Sequence, residues 1–471
     1  MTALAAPAAT ISPPRRWAVL AVVLAAEILD LLDSTITNIA APTIAADLHG
    51  GESLVQWLGA GYALALGVLL VVGGRLGDRF GRRRVFLTGI TGFTLASIAC
   101  GLAFDPASII TARLVQGAFG ALLIPQGFGI LGAVFPRDQI GKAFSAFGPV
   151  LGLSAVGGPV LAGFLIDADL FGLGWRSMFL INIVLGGAAI VAAFRLLPAD
   201  DGDRSVSIDG LGSALLAAAM FCLLFGLIEG SGHGWGALAL SSVVAGAGFF
   251  ALFGRRQVAA ERPLIQPSLL KNRGFTSGLV LGVVFFAAVA GLLYVLSLFL
   301  QNGLGYSPMR AALVGVAPIA AGIVIASIAC FRLIARLGRN LIVVGLLVTL
   351  AGTGLLLAAV HTHGTSVGAG WIVPAALVVG LGMGTCFGTV YDVTIGDIDP
   401  AEAGSASGSL SAVQQLANAL GAAVVTTAYF DTLGSGQAHA MTVSLLLVAG
   451  ATGVSCCLVR LLPRNAQPQH H

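Results

Sequence analysis

The sequence predicts an all-α polytopic membrane protein, and three observations predict it. Over half of the 471 residues are hydrophobic (57%), only 10% are charged, and the mean hydropathy is +0.95. Apolar runs long enough to cross a bilayer recur along the chain. Lys and Arg gather in alternate connections between those runs. An ordinary soluble domain carries about 25% charged residues, so a soluble fold of this composition would expose apolar surface that only lipid tolerates. The 65 glycines suit close helix–helix approach inside a bilayer.

A spanning helix needs about 20 apolar residues. Fourteen such runs lie near 17–41, 54–74, 85–104, 108–134, 143–166, 177–197, 208–229, 236–254, 275–301, 309–331, 341–360, 368–392, 404–430 and 441–462. An even number places both termini on one side. Residues 1–16 are rich in Ala and Pro and end in Arg15 and Arg16. No small-residue cleavage site follows the first run, so it is expected to be an uncleaved span. With the N-terminus cytoplasmic, all 24 Lys and Arg residues except Arg113, Arg176 and Arg310 fall in cytoplasmic segments, as the positive-inside rule requires. A miscounted span would scramble that alternation downstream. Both termini are therefore expected in the cytoplasm.

Two longer cytoplasmic segments punctuate the pattern. Residues 198–207 are polar and expected to be flexible. Residues 254–274 mix apolar and basic side chains and are expected along the inner membrane surface. They bracket two spans. The predicted organisation is a six-helix bundle over 1–200, a two-helix insertion with its linker over 201–274, and a second six-helix bundle over 275–471. A weak repeat supports two halves: Asp78-Arg79-Phe80-Gly81-Arg82 follows the second span, and Ala335-Arg336-Leu337-Gly338-Arg339 follows the tenth. Repeated halves are a transporter design, with the substrate site between them.

Few residues carry chemistry, and they are conspicuous against the apolar background. The loop GRLGDRFGRRR (74–84) places glycines where backbones must approach and sets Asp78 beside several arginines. The first run contains Glu27, Asp30 and Asp33. Carboxylates at membrane depth are costly and usually functional. Their spacing covers an arc of about 120° on a helix, so the three can face one cavity and exchange a proton for a cationic substrate. Arg113 is the one cation inside a run; it needs a partner or a wet cavity. Asp392, beside Tyr391, is either a second protonatable site or an interfacial acid. Glu229 and the histidines of the outer loops read as interfacial. The six cysteines lie in apolar runs without metal-ligand spacing and read as small apolar side chains. The P-loop pattern GxxxxGK[ST] is absent, so no nucleotide cofactor, metal site or enzymatic chemistry is expected.

The 74–84 loop resembles the signature loop of the major facilitator superfamily. That resemblance implies a conformational latch formed by Gly74, Asp78, Arg79, Gly81 and Arg82; the second copy has Ala335 where the acid would be. Leu32 to Pro42 resembles the first-span motif of the fourteen-span drug:proton antiporters, with Asp33 as the motif acid, and Arg113-Leu114-Val115-Gln116-Gly117 resembles their fourth-span motif, which links the Arg to proton transfer. The fifth run is similar to the exporter motif through Gly158, Pro159 and Gly163, with Ala162 as a departure. GWRSMFLIN (174–182), with Trp175 and Arg176 expected at the outer interface, and Glu402 to Gly408 resemble the same family; Gln414-Gln415 stands where relatives often carry Arg-Gln. The family implies two six-helix bundles plus two central helices, rocker-switch alternating access, and no cofactor beyond a proton gradient. The expected function is proton-coupled export of small lipophilic or cationic compounds by a monomer in the cytoplasmic membrane, with protons and lipid as further partners and no nucleic acid. The coupling residues would be Asp33, Asp30, Glu27, Arg113 and Asp392. Two other readings stay open. The fifth-span motif argues against an importer or symporter of the same fold, and Asp30, Asp33 and Arg113 argue against a non-transporting receptor.

Overall fold

The computed structural model describes residues 12–136, 172–204, 209–260, 263–330, 337–395 and 402–463, with single positions between 139 and 169 and at 333 and 398. Regular structure among them is entirely helical. In chain order the helices are α1 (Pro13–Asp47), α2 (Gly51–Phe80), α3 (Arg82–Gly101), α4 (Pro106–Gly120), α5 (Leu123–Val134), α6 (Arg176–Leu180) and α7 (Asn182–Leu196). There follow α8 (Gly210–His233), α9 (Ala237–Ala259), α10 (Pro267–Lys271), α11 (Arg273–Leu298), α12 (Pro308–Ala311) and α13 (Ala317–Cys330). The last four are α14 (Arg339–His363), α15 (Ala369–Ile395), α16 (Ala403–Thr432) and α17 (Gln437–Leu458).

Among the described residues, eleven helical segments are long and apolar enough to cross a membrane. They leave out α1, which carries four acids, α16, whose first half is rich in Ser and Gln, and the fifth apolar run, most of which lies outside the described residues. The run Pro106–Val134 is one apolar rod in two parts. Pro125 has no N–H to offer Ala121, four residues back, so the helix breaks there into α4 and α5. The break is also a crossing point: a Cβ on Gly73 of α2 would lie 2.4 Å from the Ala121 carbonyl oxygen.

The apolar cores follow the chain. One is built wholly from residues 281–462, around Leu292, Leu346, Val379 and Met441. Two lie within residues 19–197 and 36–181. A fourth joins α2, α8 and α16 through Leu64, Leu70, Met220, Leu224 and Ala412. Helix α8 thus packs where α2 meets α16, and a Cβ on Gly67 would find Leu224 at 3.2 Å and Gln415 at 3.3 Å.

Both polar connections make specific contacts with the helices. The segment around 263–271, expected along the inner membrane surface, is anchored on the protein through part of its side chains. Leu264 and Leu269 are buried. Arg75, itself buried, donates from Nε to the Leu264 carbonyl (2.5 Å) and from Nη2 to that of Pro263 (3.1 Å), and Ser268 donates to Glu402 at the start of α16 (2.6 Å). A guanidinium withdrawn from water must find acceptors, and these carbonyls supply them. Residues 198–204, expected to be flexible, are held against the loop between α2 and α3, as described below.

Candidate functional site

Asp33 and Arg113 meet in the protein interior. Asp33 is 4% exposed and Arg113 fully buried. Arg113 Nη1 donates to Asp33 Oδ2 at 2.5 Å and to Gln116 Oε1 at 2.7 Å, while its Nε donates to the Leu58 carbonyl at 3.0 Å. The other Asp33 oxygen accepts from Gln116 Nε2 (2.9 Å) and Asn182 Nδ2 (3.1 Å). Asn182 also donates to Ser97 Oγ (2.8 Å), which donates in turn to the Phe179 carbonyl (3.0 Å). Helices α1, α2, α3, α4, α6 and α7 therefore each contribute a group to one network. Burying a charge pair is tolerable only when good geometry and further hydrogen bonds offset desolvation, and this network has both. Arg113 Nη2 is buried without a hydrogen-bond partner among the described residues.

Tyr62 links Asp30 to the same cluster. Its hydroxyl donates to Asp30 Oδ1, and the Arg113 guanidinium lies 4.4 Å from the centre of its ring, a cation–π arrangement. The fit requires glycine on α4. A Cβ on Gly117 would come within 2.3 Å of the Tyr62 carbonyl oxygen, and one on Gly120 within 2.8 Å of its hydroxyl. Gly158, from the exporter-like motif, packs on α1 beside Thr35, whose Oγ1 would lie 2.0 Å from a Cβ there. Pro159 and Gly163 lie outside the described residues.

The three first-helix acids differ in burial and in their partners. Asp30 and Asp33 are buried and hydrogen-bonded, whereas Glu27 is partly exposed and makes no hydrogen bond or ion pair with the described residues. Asp392 likewise makes none and does not join the Asp33 cluster; its neighbour Tyr391 makes the contacts, stacking on Phe128 and donating to Gln414. Sequence reading left Gln116 and Asn182 without a role although both lie in the quoted motifs. A polar amide inside an apolar run was the available signal. Tyr62 gave no signal, since a tyrosine in an apolar run reads as packing.

The 74–84 loop has the expected ion pair. Asp78 and Arg82 are 3.2 Å apart, and Arg82 Nη1 donates to the Gly129 carbonyl at 2.8 Å, tying α2 to α3 and α5. Gly81 sits at φ 93°, a conformation that glycine adopts without strain. Gly74 is buried in α2, and the Arg79 guanidinium lies 5.5 Å from the centre of the Phe80 ring. Sequence reading missed the group that closes this loop. Asp200 accepts from the backbone N–H groups of Arg82 (2.6 Å) and Arg83 (3.0 Å), capping the N-terminus of α3, and Asp203 N–H donates to the Asp78 carbonyl (2.8 Å). Free N–H groups at a helix start attract a carboxylate, which is why 198–204 is held. At the opposite end Trp175 is buried instead of lying at a lipid interface. Its indole N–H donates to Asp47 (3.0 Å), as does Arg176 (2.9 Å). The Trp175 hydrogen bond, followed by that of Arg176, holds the Asp47 carboxyl below its ordinary range.

The sequence matches the Major Facilitator Superfamily over residues 23–422. The chain belongs to that family. Similar superfamily members include the Streptomyces coelicolor protein named "Probable actinorhodin transporter", 45% identical over 90% of this chain and 74% of that one. The tetracenomycin C resistance and export protein of Streptomyces glaucescens is 34% identical over 87% and 75%. The puromycin resistance protein of Streptomyces alboniger is 33% identical over 95% and 92%. Among solved superfamily structures, the proton:xylose symporter XylE aligns with a TM-score of 0.68 at 13% identity, over 95% of each chain. The human organic anion transporter MFSD10 aligns with 0.67 at 16%, over 95% of this chain and all of that one. These confirm an all-helical, multi-pass superfamily fold.

Proposed function

We propose that this membrane protein exports small lipophilic or cationic organic compounds across the cytoplasmic membrane in exchange for protons, by alternating access. The observation that carries the reading is the buried Asp33–Arg113 pair with its amide cradle. A proton reaching Asp33 would cancel its charge and leave Arg113 without its counter-ion deep in the protein, a change large enough to favour a different packing of the helices around it. Glu27, partly exposed and one turn before Asp30 on α1, is proposed as the first contact for a substrate arriving from the cytoplasm. Asp392 is a second candidate carrier.

Fourteen spans are proposed: the eleven apolar segments together with α1, α16 and the fifth run. The 75–84 end is taken as cytoplasmic because the arginines concentrate there. Separate cores within 19–197 and 281–462 support two bundles over 1–200 and 275–471, with 201–274 inserted between them. Gly74, Asp78, Arg79, Gly81 and Arg82 are proposed as the latch, and Gly158, Pro159 and Gly163 as the antiporter-motif helix. The relatives named for antibiotic resistance and export favour efflux over uptake, and the working unit is taken as a monomer.

Everted membrane vesicles test this. With an acid interior, addition of a transported antibiotic or lipophilic cation is expected to release protons, and Asp33→Asn is expected to abolish the release. Release that persists in Asp33→Asn, or flux that runs with the proton instead of against it, would overturn the proposal.

A further inference from the structure

At the end carrying the arginine loop, the two proposed bundles meet through aromatic rings. Phe128 of α5 and Tyr391 of α15 stack with centroids 5.6 Å apart and planes 21° from parallel. Behind Tyr391, Phe286 stands edge-on at 6.4 Å, and Phe285, Phe286 and Phe387 pack on one another at 5.3 to 5.6 Å. The Tyr391 hydroxyl donates to Gln414 on α16 at 2.6 Å. Glu27 and Tyr391 are each half-buried. Tyr391 packs against the core that holds Val23 and Ala26 of α1, so Glu27 follows directly on that contact, and Glu27 has no hydrogen bond to the described residues. A seam that needed only sealing could use aliphatic side chains, as the core within 281–462 does elsewhere. Here flat faces are paired across the seam, with an unpaired acid and an amide beside them.

We infer that Phe128 and Tyr391 form a clip for flat, fused-ring aromatic compounds that carry a positive charge or a hydrogen-bond donor, with Glu27 and Gln414 receiving the polar group. This rests on the alternating-access reading above. As the bundles part at this end the stack must open, and a flat ring between the two side chains restores the face contacts that each loses. An acid next to aromatic faces adds attraction for a cationic ring. A propeller-shaped cation of the same charge cannot lie between parallel faces.

Binding to the purified full-length protein in lipid nanodiscs tests the clip, with ethidium as the flat cation and tetraphenylphosphonium as the propeller-shaped one. Ethidium is expected to bind. Tyr391→Leu and Phe128→Leu are each expected to weaken it about threefold to tenfold, the range of an aromatic pair, while leaving tetraphenylphosphonium unchanged. Tyr391→Phe and Phe128→Trp, which keep a flat face, are expected to retain ethidium binding whether or not the leucine variants fold. Failure of the wild type to bind ethidium, unchanged binding in a folded Tyr391→Leu, loss in Phe128→Trp, or equal loss of both cations would overturn the inference. Binding is read without a proton gradient, so absence of proton coupling would leave these results standing. Loss of the clip with Asp33-dependent proton release intact would remove this inference alone.

Discussion

The Asp200 carboxylate accepts the backbone N–H of Arg82 at 2.6 Å, so a residue of the segment after α7 caps α3, the helix that starts within the arginine loop. The same carboxylate takes the N–H of Arg83 at 3.0 Å. Beside it, the Arg84–Asp201 pair spans 3.2 Å with both side chains largely exposed. The two acids are neighbours in sequence and unequal in consequence.

Asp200→Ala is expected to cost about 1 kcal/mol of local stability, the usual value of an N-terminal cap. Amide hydrogen exchange at residues 82–85 should then speed up about fivefold. Asp201→Ala should change it by less than about twofold, because an exposed ion pair contributes little. Equal effects from the two substitutions would show that the cap is not what holds the loop.

Removing one member of the buried pair leaves the other charged and unpartnered. Arg113→Ala is expected to lower stability by about 3–5 kcal/mol and to abolish proton-coupled transport. Asp33→Asn combined with Arg113→Gln should recover much of the stability without recovering transport. Arg113→Lys should also fail, since one ammonium cannot reach Asp33, Gln116 and the Leu58 carbonyl from the positions that the guanidinium fork occupies. Thermal melting in detergent together with vesicle flux checks all three.

Two glycines of the α2–α4 crossing should respond oppositely to alanine. At Gly117 the added carbon would meet the Tyr62 backbone oxygen at 2.3 Å, which cannot swing aside. Gly117→Ala is expected to destabilise by about 1–3 kcal/mol. At Gly61 the nearest atoms lie at 3.8 Å. Gly61→Ala should be neutral or stabilising by up to about 1 kcal/mol, because glycine weakens a helix interior. Melting temperatures of the two variants give the comparison.

The Asp47 contact predicts a pH response at the opposite end. Its carboxyl is held below the ordinary value by the Trp175 hydrogen bond and then by Arg176. A depressed value means that the contact contributes stability above the unfolded carboxylate's pKa of about 3.9 and loses it as the pH falls through the lower folded value. Trp175 fluorescence should therefore stay constant from neutral pH down to about pH 4 and change only below it. Asp47→Asn should remove that acid transition. A transition near pH 6 would contradict the assignment.

Much of the architecture was legible because its causes are local to the chain. The length of an apolar run decides whether a segment can cross a bilayer. The acids of α1 and the lone Arg113 stood out for the same reason, since a charge in an apolar run is visible without knowing the fold. The break at Pro125 between α4 and α5 was passed over, because 108–134 reads as one apolar run.

The partners of those charges were decided by packing. Tyr62 reaches Asp30 across 32 residues, Asn182 reaches Asp33 across 149, and Asp200 reaches Arg82 across 118. No periodicity encodes such distances, and a tyrosine or asparagine in an apolar run looks alike whether it fills space or holds a carboxylate. The sequence by itself determined a multi-pass helical protein with acids and an arginine inside its apolar runs, because length and charge act on each segment alone. Only the tertiary structure decided that Asp33 meets Arg113, that Glu27 stays partly open, and that Phe128 faces Tyr391, because each depends on which helices come to touch.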